Sequence, residues 1–367
     1  MATAALGVAV DGIETAAFTV PTELPESDGT LEWDATTMIV AEASAGDARG
    51  LGYTYGAAAT GSLIDELLAP AVVGRDAMDV PGAWEAMVHA IRNNGRPGIC
   101  SMAIAAVDVA LWDLKARLLE TSLGGLLGAS RDSVPVYGSG GFTSYDDGEL
   151  RDQVAGWVQD GIRSVKIKVG RRPDDDPRRV EVARSAIGPE VRLMVDANGA
   201  HDRRGALRAA AKFAEGGVTW FEEPVSSDDL EGLTLIRDRA PAGMEIAAGE
   251  YGYDLPYFRR MLEAGAVDVL QVDATRCAGF TELLRVEALC RAWSVPLSAH
   301  TAPTLHGHVG CVAGGLRDVE YFHDHVRVEH LLLDGALAAD GGKIRPDRSR
   351  PGLGIELKRA DAEEFAV

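Results

Sequence analysis

Seven acid or base side chains stand one after another at the ends of short apolar runs in the second half of this chain. They are Lys168 in SVKIKVG, Asp196 in RLMVDANG, Glu222 in TWFEEP, Glu250 in EIAAGE, Asp273 in VLQVDAT, His300 in PLSAHT and Glu320 in RDVEYF. The intervals between them are 28, 26, 28, 23, 27 and 20 residues. A strand-plus-helix unit of a parallel barrel takes roughly 30 residues, since about 250 residues make eight of them. Side chains repeating at that interval fall at the C-terminal ends of successive strands, and in a closed barrel those ends share one mouth. The spacing therefore predicts an α/β barrel with one active site at its rim.

The texture around the ladder agrees. From Val134 onward short apolar runs alternate with helix-like segments: VPVYGSGG with LRDQVAGWVQDG, RLMVDAN with GALRAAAKFAEGG, VDVLQVDAT with FTELLRVEALCRAW. Such alternation with short loops predicts a parallel sheet, and seven or eight units close it. At 367 residues the chain is long enough for a smaller partner domain as well. Its N-terminal part reads as strands at AALGVAV, TAAFTV and TTMIVAEA. Between them Pro21–Asp34, with two prolines and five acids, reads as a loop. GDARGLGYTYG reads as a glycine-rich hairpin tip or second mobile loop. From about 60 to 127 the pattern is helical, with Asp108, Asp113 and Lys115 off the apolar face of Met102–Leu119. After about residue 340 glycine, proline and charge dominate, and this tail is expected to pack back on the N-terminal domain.

A formal charge of −20 repels phosphate backbones and anionic lipid, which argues against nucleic-acid or membrane partners. Cys100, Cys277, Cys290 and Cys311 are widely separated and form no CxxC pair, as expected of free thiols in a reducing compartment. The N-terminus has no basic region ahead of an apolar one, and no uncharged apolar run approaches 18 residues. A cytoplasmic protein is the expectation.

The ladder divides chemically. Asp196, Glu222 and Glu250 end three consecutive strands, and three carboxylates that close raise one another's pKa unless a cation lies between them. Oxygen ligands without sulfur or imidazole point to Mg2+, with Mn2+ second. Lys166 and Lys168 share one face of their strand, turned into the barrel, while Val165, Ile167 and Val169 take the alternate positions. A lysine beside a second ammonium and a dication is expected to have its pKa drawn down toward that of a base. Asp273 and His300 end neighbouring strands, where a carboxylate fixes the imidazole tautomer and raises its basicity. Glu320 is available to donate a hydrogen bond to a substrate carboxylate if it stays protonated, with Glu329 a competitor for that role. Together these groups suit removal of a proton from the carbon next to a carboxylate, with two bases serving opposite faces.

Other motifs carry less. HGH (His306–His308) and HDH (His323–His325) have HxH spacing, but i and i+2 on a helix do not share a face, so both read as mostly structural, with His325 near the site. GSGG at Gly138–Gly141 lacks the GxGxxG spacing of a dinucleotide site and reads as a turn at the barrel mouth. Thr143 and Ser144 just beyond it are candidates to touch substrate. Arg276 is placed either on a distal carboxylate of the substrate or in a helix-start salt bridge.

In this order the motifs resemble the enolase superfamily, specifically its mandelate racemase subgroup. The resemblance runs from AIAAVDVALWDLKAR, similar to the helix closing the capping domain, through the KxK of VKIKV, VDAN, FEEP, AAGE, the VDAT aspartate and the SAH histidine. It implies a modified TIM barrel, (β/α)7β, over residues 128–340, an α+β capping domain over 1–127, and a segment 341–367 returning to that domain. It implies that Lys168, tuned by Lys166, and His300, assisted by Asp273, are the bases, that Asp196, Glu222 and Glu250 bind Mg2+, and that Glu320 is the strand-eight glutamate. Asn198 would lie near the metal, and Glu223 and Pro224 would support the ligands. Pro21–Asp34 and the Tyr53–Tyr55 segment would be the two capping loops that close over the substrate, and the assembly would be a dimer or octamer. The polar first loop favours a hydroxylated substrate, and its acidity speaks against a second, distal carboxylate. An acid-sugar dehydratase giving a 2-keto-3-deoxy acid is therefore expected, with a 2-hydroxy-acid racemase or epimerase as alternative. A Schiff-base aldolase would leave the three carboxylates without purpose, and a non-catalytic metal-binding barrel would leave both bases without one.

Overall fold

The computed structural model describes residues 7–367. Residues 4–6 of the expected first strand lie outside that range, and Ala9 forms an isolated bridge to Asp76. The N-terminal sheet is antiparallel, in the order β1 (Gly12–Ser27), β2 (Glu32–Ala45), β3 (Ala48–Tyr55).

Two loop expectations give way here. Pro21–Asp34 is mostly strand: β1 and β2 stay paired at Pro21↔Ala35 and Glu26↔Trp33, with an irregularity between Pro21 and Glu26. Proline is tolerated because β1 is an edge strand, where a missing N–H leaves no ladder bond unmade. The turn is confined to Asp28–Leu31, where Asp28 Oδ1 accepts from the Thr30 and Leu31 N–H groups at 2.6 Å each. The stretch is also less polar in place than in composition. Trp33 packs edge-on against Phe142 at 5.6 Å and donates through Nε1 to the buried Glu26 at 2.9 Å. The second stretch, around Gly50 and Gly52, is β3 itself. A Cβ on Gly52 would sit 2.2 Å from the Ala106 carbonyl oxygen, so these glycines admit a helix, Ile99–Leu118, directly onto the strand.

That helix joins the two halves of the molecule. Its Asp108 and Asp113 are fully buried rather than facing away from the packed face. Asp108 accepts from the Thr281 N–H (3.0 Å) and hydroxyl (2.5 Å) at the start of the barrel helix Phe280–Trp293. Asp113 accepts from the Leu51 and Leu353 N–H groups, tying helix, sheet and C-terminal segment together. The Val367 N–H reaches the Ala17 carbonyl at 3.1 Å.

The barrel consists of eight parallel strands, β4 (Val134–Gly140), β5 (Ser164–Lys168), β6 (Arg192–Asp196), β7 (Val218–Glu222), β8 (Glu245–Ala248), β9 (Val269–Val272), β10 (Leu297–Ala299) and β11 (Leu316–Phe322). It closes through β11–β4, with Val319 opposite Val136. One crossover helix lies between each successive pair of strands, which is the (β/α)7β arrangement. Tyr137, Met194, Trp220, Ala247 and Val269 pack together inside the barrel, while Val165 and Ile167 face the helix layer. The register places Lys168 opposite Asp196 and Asp196 opposite Glu222. Neighbouring strands thus present these side chains side by side at the mouth. No described helix is long and apolar enough to cross a membrane.

Candidate active site

All seven ladder residues are buried; six lie at the C-terminal ends of the strands or just beyond them, and Glu320 lies two residues before the end of β11. Asp196, Glu222 and Glu250 each bring a carboxylate oxygen within 4.8 Å of the others. Among the described residues Glu250 Oε2 is buried with no hydrogen-bond partner, and so are Asn198 Oδ1 and Glu223 Oε1, which follow Asp196 and Glu222 in sequence. Burial, followed by repulsion from Asp196, Glu320 and Glu250, holds the Glu222 carboxyl well above its usual range despite Lys166 beside it. Unpartnered carboxylate oxygen and repelling carboxyls are what a hard cation would satisfy, so this trio fits Mg2+.

The lysines are paired with the acids of the ring. Lys166 Nζ lies 2.5 Å from Glu222, 2.8 Å from Glu320 and 3.8 Å from Asp196, and Lys168 Nζ lies 2.5 Å from Asp196 Oδ2. Burial disfavours both ammonium charges, but the carboxylates outweigh it and raise both pKa values instead of lowering them. Lys166 pulls the other way on Lys168. The two ammonium groups serve as the counter-charge of the carboxylate ring.

His300 Nδ1 is 2.8 Å from Asp273 Oδ2, and its Nε2 points toward Glu250 Oε2 at 3.5 Å. Asp273 is held in turn by the Thr275 N–H and hydroxyl, both 2.7 Å from Oδ1. Burial opposes the Asp273 charge, yet His300 and Arg276 hold its carboxyl below the usual range. The lysine and the dyad therefore stand at the two ends of the trio: Lys168 against Asp196, His300 against Glu250.

Glu320 is not a donor here. Its oxygens accept from Ser139 Oγ (2.5 Å), Lys166 Nζ and the Thr301 N–H (3.1 Å). Burial is outweighed by Lys166, His300 and Lys168, which keep it ionised. Glu329, its competitor, lies outside the ring. It accepts from the Tyr53 hydroxyl at 2.6 Å and the Thr304 N–H at 3.0 Å, and burial pushes its carboxyl up to about 7.

The residues expected to support the site divide. Asn198 and Glu223 follow the strand-end ligands with left-handed backbones (φ 47° and 37°), and the Asn198 N–H donates to Asp196 Oδ1 at 2.9 Å. Tyr53 and Tyr55 are on strand β3, not on a closing loop. The Tyr53 hydroxyl is spent on Glu329, and Tyr55 stacks on His325 at 3.5 Å. Thr143 does not present its hydroxyl to a substrate: it donates to the Asp28 carbonyl at 2.8 Å and meets Ser27 Oγ at 2.6 Å. With Ser144, bonded to the Pro25 carbonyl, it fastens the β1–β2 hairpin to the barrel mouth.

Three further residues bear on the site. Arg276 bridges the ladder, 3.1 Å from Glu250 Oε1 and 3.6 Å from Asp273 Oδ2, so both of its acidic partners among the described residues belong to the ladder. Its position three residues after Asp273 was the visible signal. His325 Nδ1 accepts from the Ala302 N–H at 3.3 Å, just past His300. Ser139, in the GSGG stretch that reads as a turn in sequence, lies on strand β4 and holds Glu320.

Comparisons with known proteins agree with this geometry. Residues 7–128 match the mandelate racemase / muconate lactonizing enzyme N-terminal domain, and residues 149–362 the enolase C-terminal domain-like family. A mandelate racemase/muconate lactonizing enzyme-like protein from Rubrobacter xylanophilus superposes with a TM-score of 0.96 at 54% identity, over 98% of this chain and 100% of that one. The 3,6-anhydro-alpha-L-galactonate cycloisomerase of Streptomyces coelicolor is 33% identical over 93% of this chain and 94% of its own length. The L-talarate/galactarate dehydratase of Salmonella typhimurium, liganded with Mg and L-lyxarohydroxamate, superposes with a TM-score of 0.90 at 28% identity, over 100% of this chain and 95% of that one. Fold, strand-end residues and sequence agree: this chain belongs to the mandelate racemase/muconate lactonizing enzyme family of the enolase superfamily.

Proposed function

We propose that the protein is an Mg2+-dependent acid-sugar dehydratase. It would remove the α-proton of a hydroxy-carboxylate and expel the β-oxygen to give a 2-keto-3-deoxy acid. The observation that carries this reading is the placement of two different bases at the two ends of one carboxylate trio. Asp196, Glu222 and Glu250 would hold Mg2+, which supplies the positive charge that stabilises an enediolate. With Asp196 serving as a ligand, Lys168 would lose its nearest counter-charge, and Lys166 at its side would disfavour a second ammonium. Lys168 takes the α-proton of one configuration. His300, its Nδ1 held by Asp273, takes that of the other, or delivers a proton to the leaving oxygen. Glu320 acts as a fixed anion that keeps Lys166 charged and the Thr301 turn in place.

Leaving-group chemistry separates the neighbouring readings. If the expelled oxygen is tethered as a ring ether or lactone, the same elimination is an isomerisation, and the Streptomyces cycloisomerase makes this the second reading. A racemase or epimerase would return the proton without elimination, and it has less support from the relatives. Trp33 and the buried Glu26 make the hairpin less polar than its composition, so the hydroxylated substrate rests on the relatives rather than on that loop. A cytoplasmic location, supported by four buried free thiols, and a homo-oligomer, dimer or octamer, complete the proposal. The test is a panel of galactarate, L-talarate, 3,6-anhydrogalactonate and simple aldonates with Mg2+, scored for 2-keto product as the semicarbazone. Exchange of the α-proton in D2O without any keto product would favour the racemase.

A further inference from the structure

His306 lies on the helix Pro303–Val312, six residues after His300, and is fully buried. Its ring stands between the turns that leave β9 and β10. The Ala274 N–H donates to Nε2 at 2.9 Å, and Nδ1 lies 2.7 Å from the Thr301 carbonyl oxygen. A backbone N–H can only donate, so Nε2 carries no hydrogen. A carbonyl can only accept, so Nδ1 carries one. Both ring nitrogens are thereby assigned: the ring is a single neutral tautomer, and an imidazolium would set a second N–H against that of Ala274. This one ring links the residue after Asp273 to the residue after His300.

The turn it holds is an unfavourable one. Thr301 and Ala302 have φ of 50° and 39°, a region that β-branched residues rarely enter. Such backbones persist only where the surroundings over-determine them. Here Glu320 takes the Thr301 N–H, His325 takes the Ala302 N–H, and His306 takes the Thr301 carbonyl. Of these three, His306 is the hold that also reaches the turn after β9, at the Ala274 N–H next to Asp273. We infer that His306 is a positioning residue that sets the Asp273–His300 geometry, leaving Lys168 on the far side of the trio untouched. The inference rests on the reading that Lys168 and the dyad act on opposite faces.

The test uses the full-length, Mg2+-loaded enzyme as wild type, His306→Phe and His306→Gln, with folding checked by circular dichroism. Proton exchange in D2O is followed on L-talarate and galactarate, which are epimers, after Lys168→Ala and His300→Ala have assigned each exchange to its base. Phenylalanine fills the ring's space without either hydrogen bond. It is expected to lower the His300-dependent exchange at least about tenfold, since small misplacements of a catalytic group cost up to about a hundredfold, and to leave the Lys168-dependent exchange within about twofold. Glutamine keeps an acceptor for Ala274 and is expected to restore part of the loss; it also serves if the phenylalanine variant does not fold. Equal loss of both exchanges, or no loss, would overturn the inference. Should wild type exchange neither acid, the proposed function fails for those acids, and the imidazole 15N spectrum decides the clamp without substrate. A shifted or broadened His300 ring N–H in His306→Phe supports it, and an unchanged one overturns it.

Discussion

Asp108 offers a test of how the capping domain is joined to the barrel. The helix Phe280–Trp293 starts at Gly279 with no side-chain cap of its own, and Asp108 supplies the acceptor from the other domain. Removing it in Asp108→Ala forfeits a cap and leaves a buried N–H unpaired. The cap is worth about 1 kcal/mol and the orphaned donor about 1–3 kcal/mol, so a loss of about 3 kcal/mol is expected. Asp108→Asn separates charge from shape. Burial, against the hydrogen bonds from Thr281, pushes the Asp108 carboxyl up to about 7. Its unfolded value is about 3.9, so the folded chain retains a proton that the unfolded chain releases. That contribution to stability is fully present below about pH 4 and is lost as pH rises through 7. At about 1.4 kcal/mol per unit, roughly 3 kcal/mol of it disappears between pH 5 and pH 8. Asparagine does not titrate. The stability of Asp108→Asn relative to wild type should therefore rise by about 3 kcal/mol from pH 5 to pH 8, read from urea unfolding with reversibility and coincident probes confirmed. A difference flat to within about 0.5 kcal/mol would mean that the carboxyl keeps one charge state over that range, and the burial reasoning would fail.

Glu250→Gln should weaken Mg2+ binding, measured by calorimetry, by more than the roughly 10–100-fold typical of losing an outer partner of a metal site; unchanged affinity would remove Glu250 from the ligand set. Lys168→Ala and His300→Ala should each abolish α-proton exchange on one face only, by about 10²–10⁴-fold, and loss on both faces in either variant would contradict the two-base arrangement. A Cβ on Gly29 would lie 2.2 Å from the Ala197 carbonyl oxygen and 2.8 Å from that of Val169. Gly29→Ala should therefore lift the hairpin tip from the barrel mouth and raise KM for any substrate found, and an unaltered KM would show that the tip does not close the site. Gly279→Ala would bring a Cβ within 2.3 Å of Asp108 Oδ2 at a φ of 92°. It should lower stability by about 3 kcal/mol, combining left-handed strain and overpacking, and a melting temperature equal to wild type would count against the tight docking.

Much of the site was legible because its signal is local and periodic. Each ladder residue ends an apolar run, and the repeat length is a property of strand and helix geometry rather than of any particular contact. The misreadings have a common cause. Proline and acid in Pro21–Asp34 suggested a loop, but an edge strand needs fewer N–H donors than a central one. Gly50 and Gly52 suggested a turn, but they make room for a helix whose closest atoms lie more than fifty positions later. Thr143 and Tyr53 appeared free to meet a substrate, yet their hydroxyls are taken by groups 115 and 276 residues away. The HGH motif was visible, but no pattern told which of its two histidines would bridge β9 and β10.

The sequence by itself determined the barrel, the convergence of three carboxylates, two lysines and a histidine–aspartate pair on one mouth, and the metal those carboxylates suit. Periodicity is enough for that, because strand ends one βα unit apart must share a rim. Only the tertiary structure decided how those groups are charged. Whether Lys168 is pulled toward a base or held as an ammonium, and whether Glu320 gives or receives a hydrogen bond, depends on summed Coulomb and desolvation energies. Those vary with distances of 2.5–3.8 Å between residues from different strands, and spacing along the chain does not contain them.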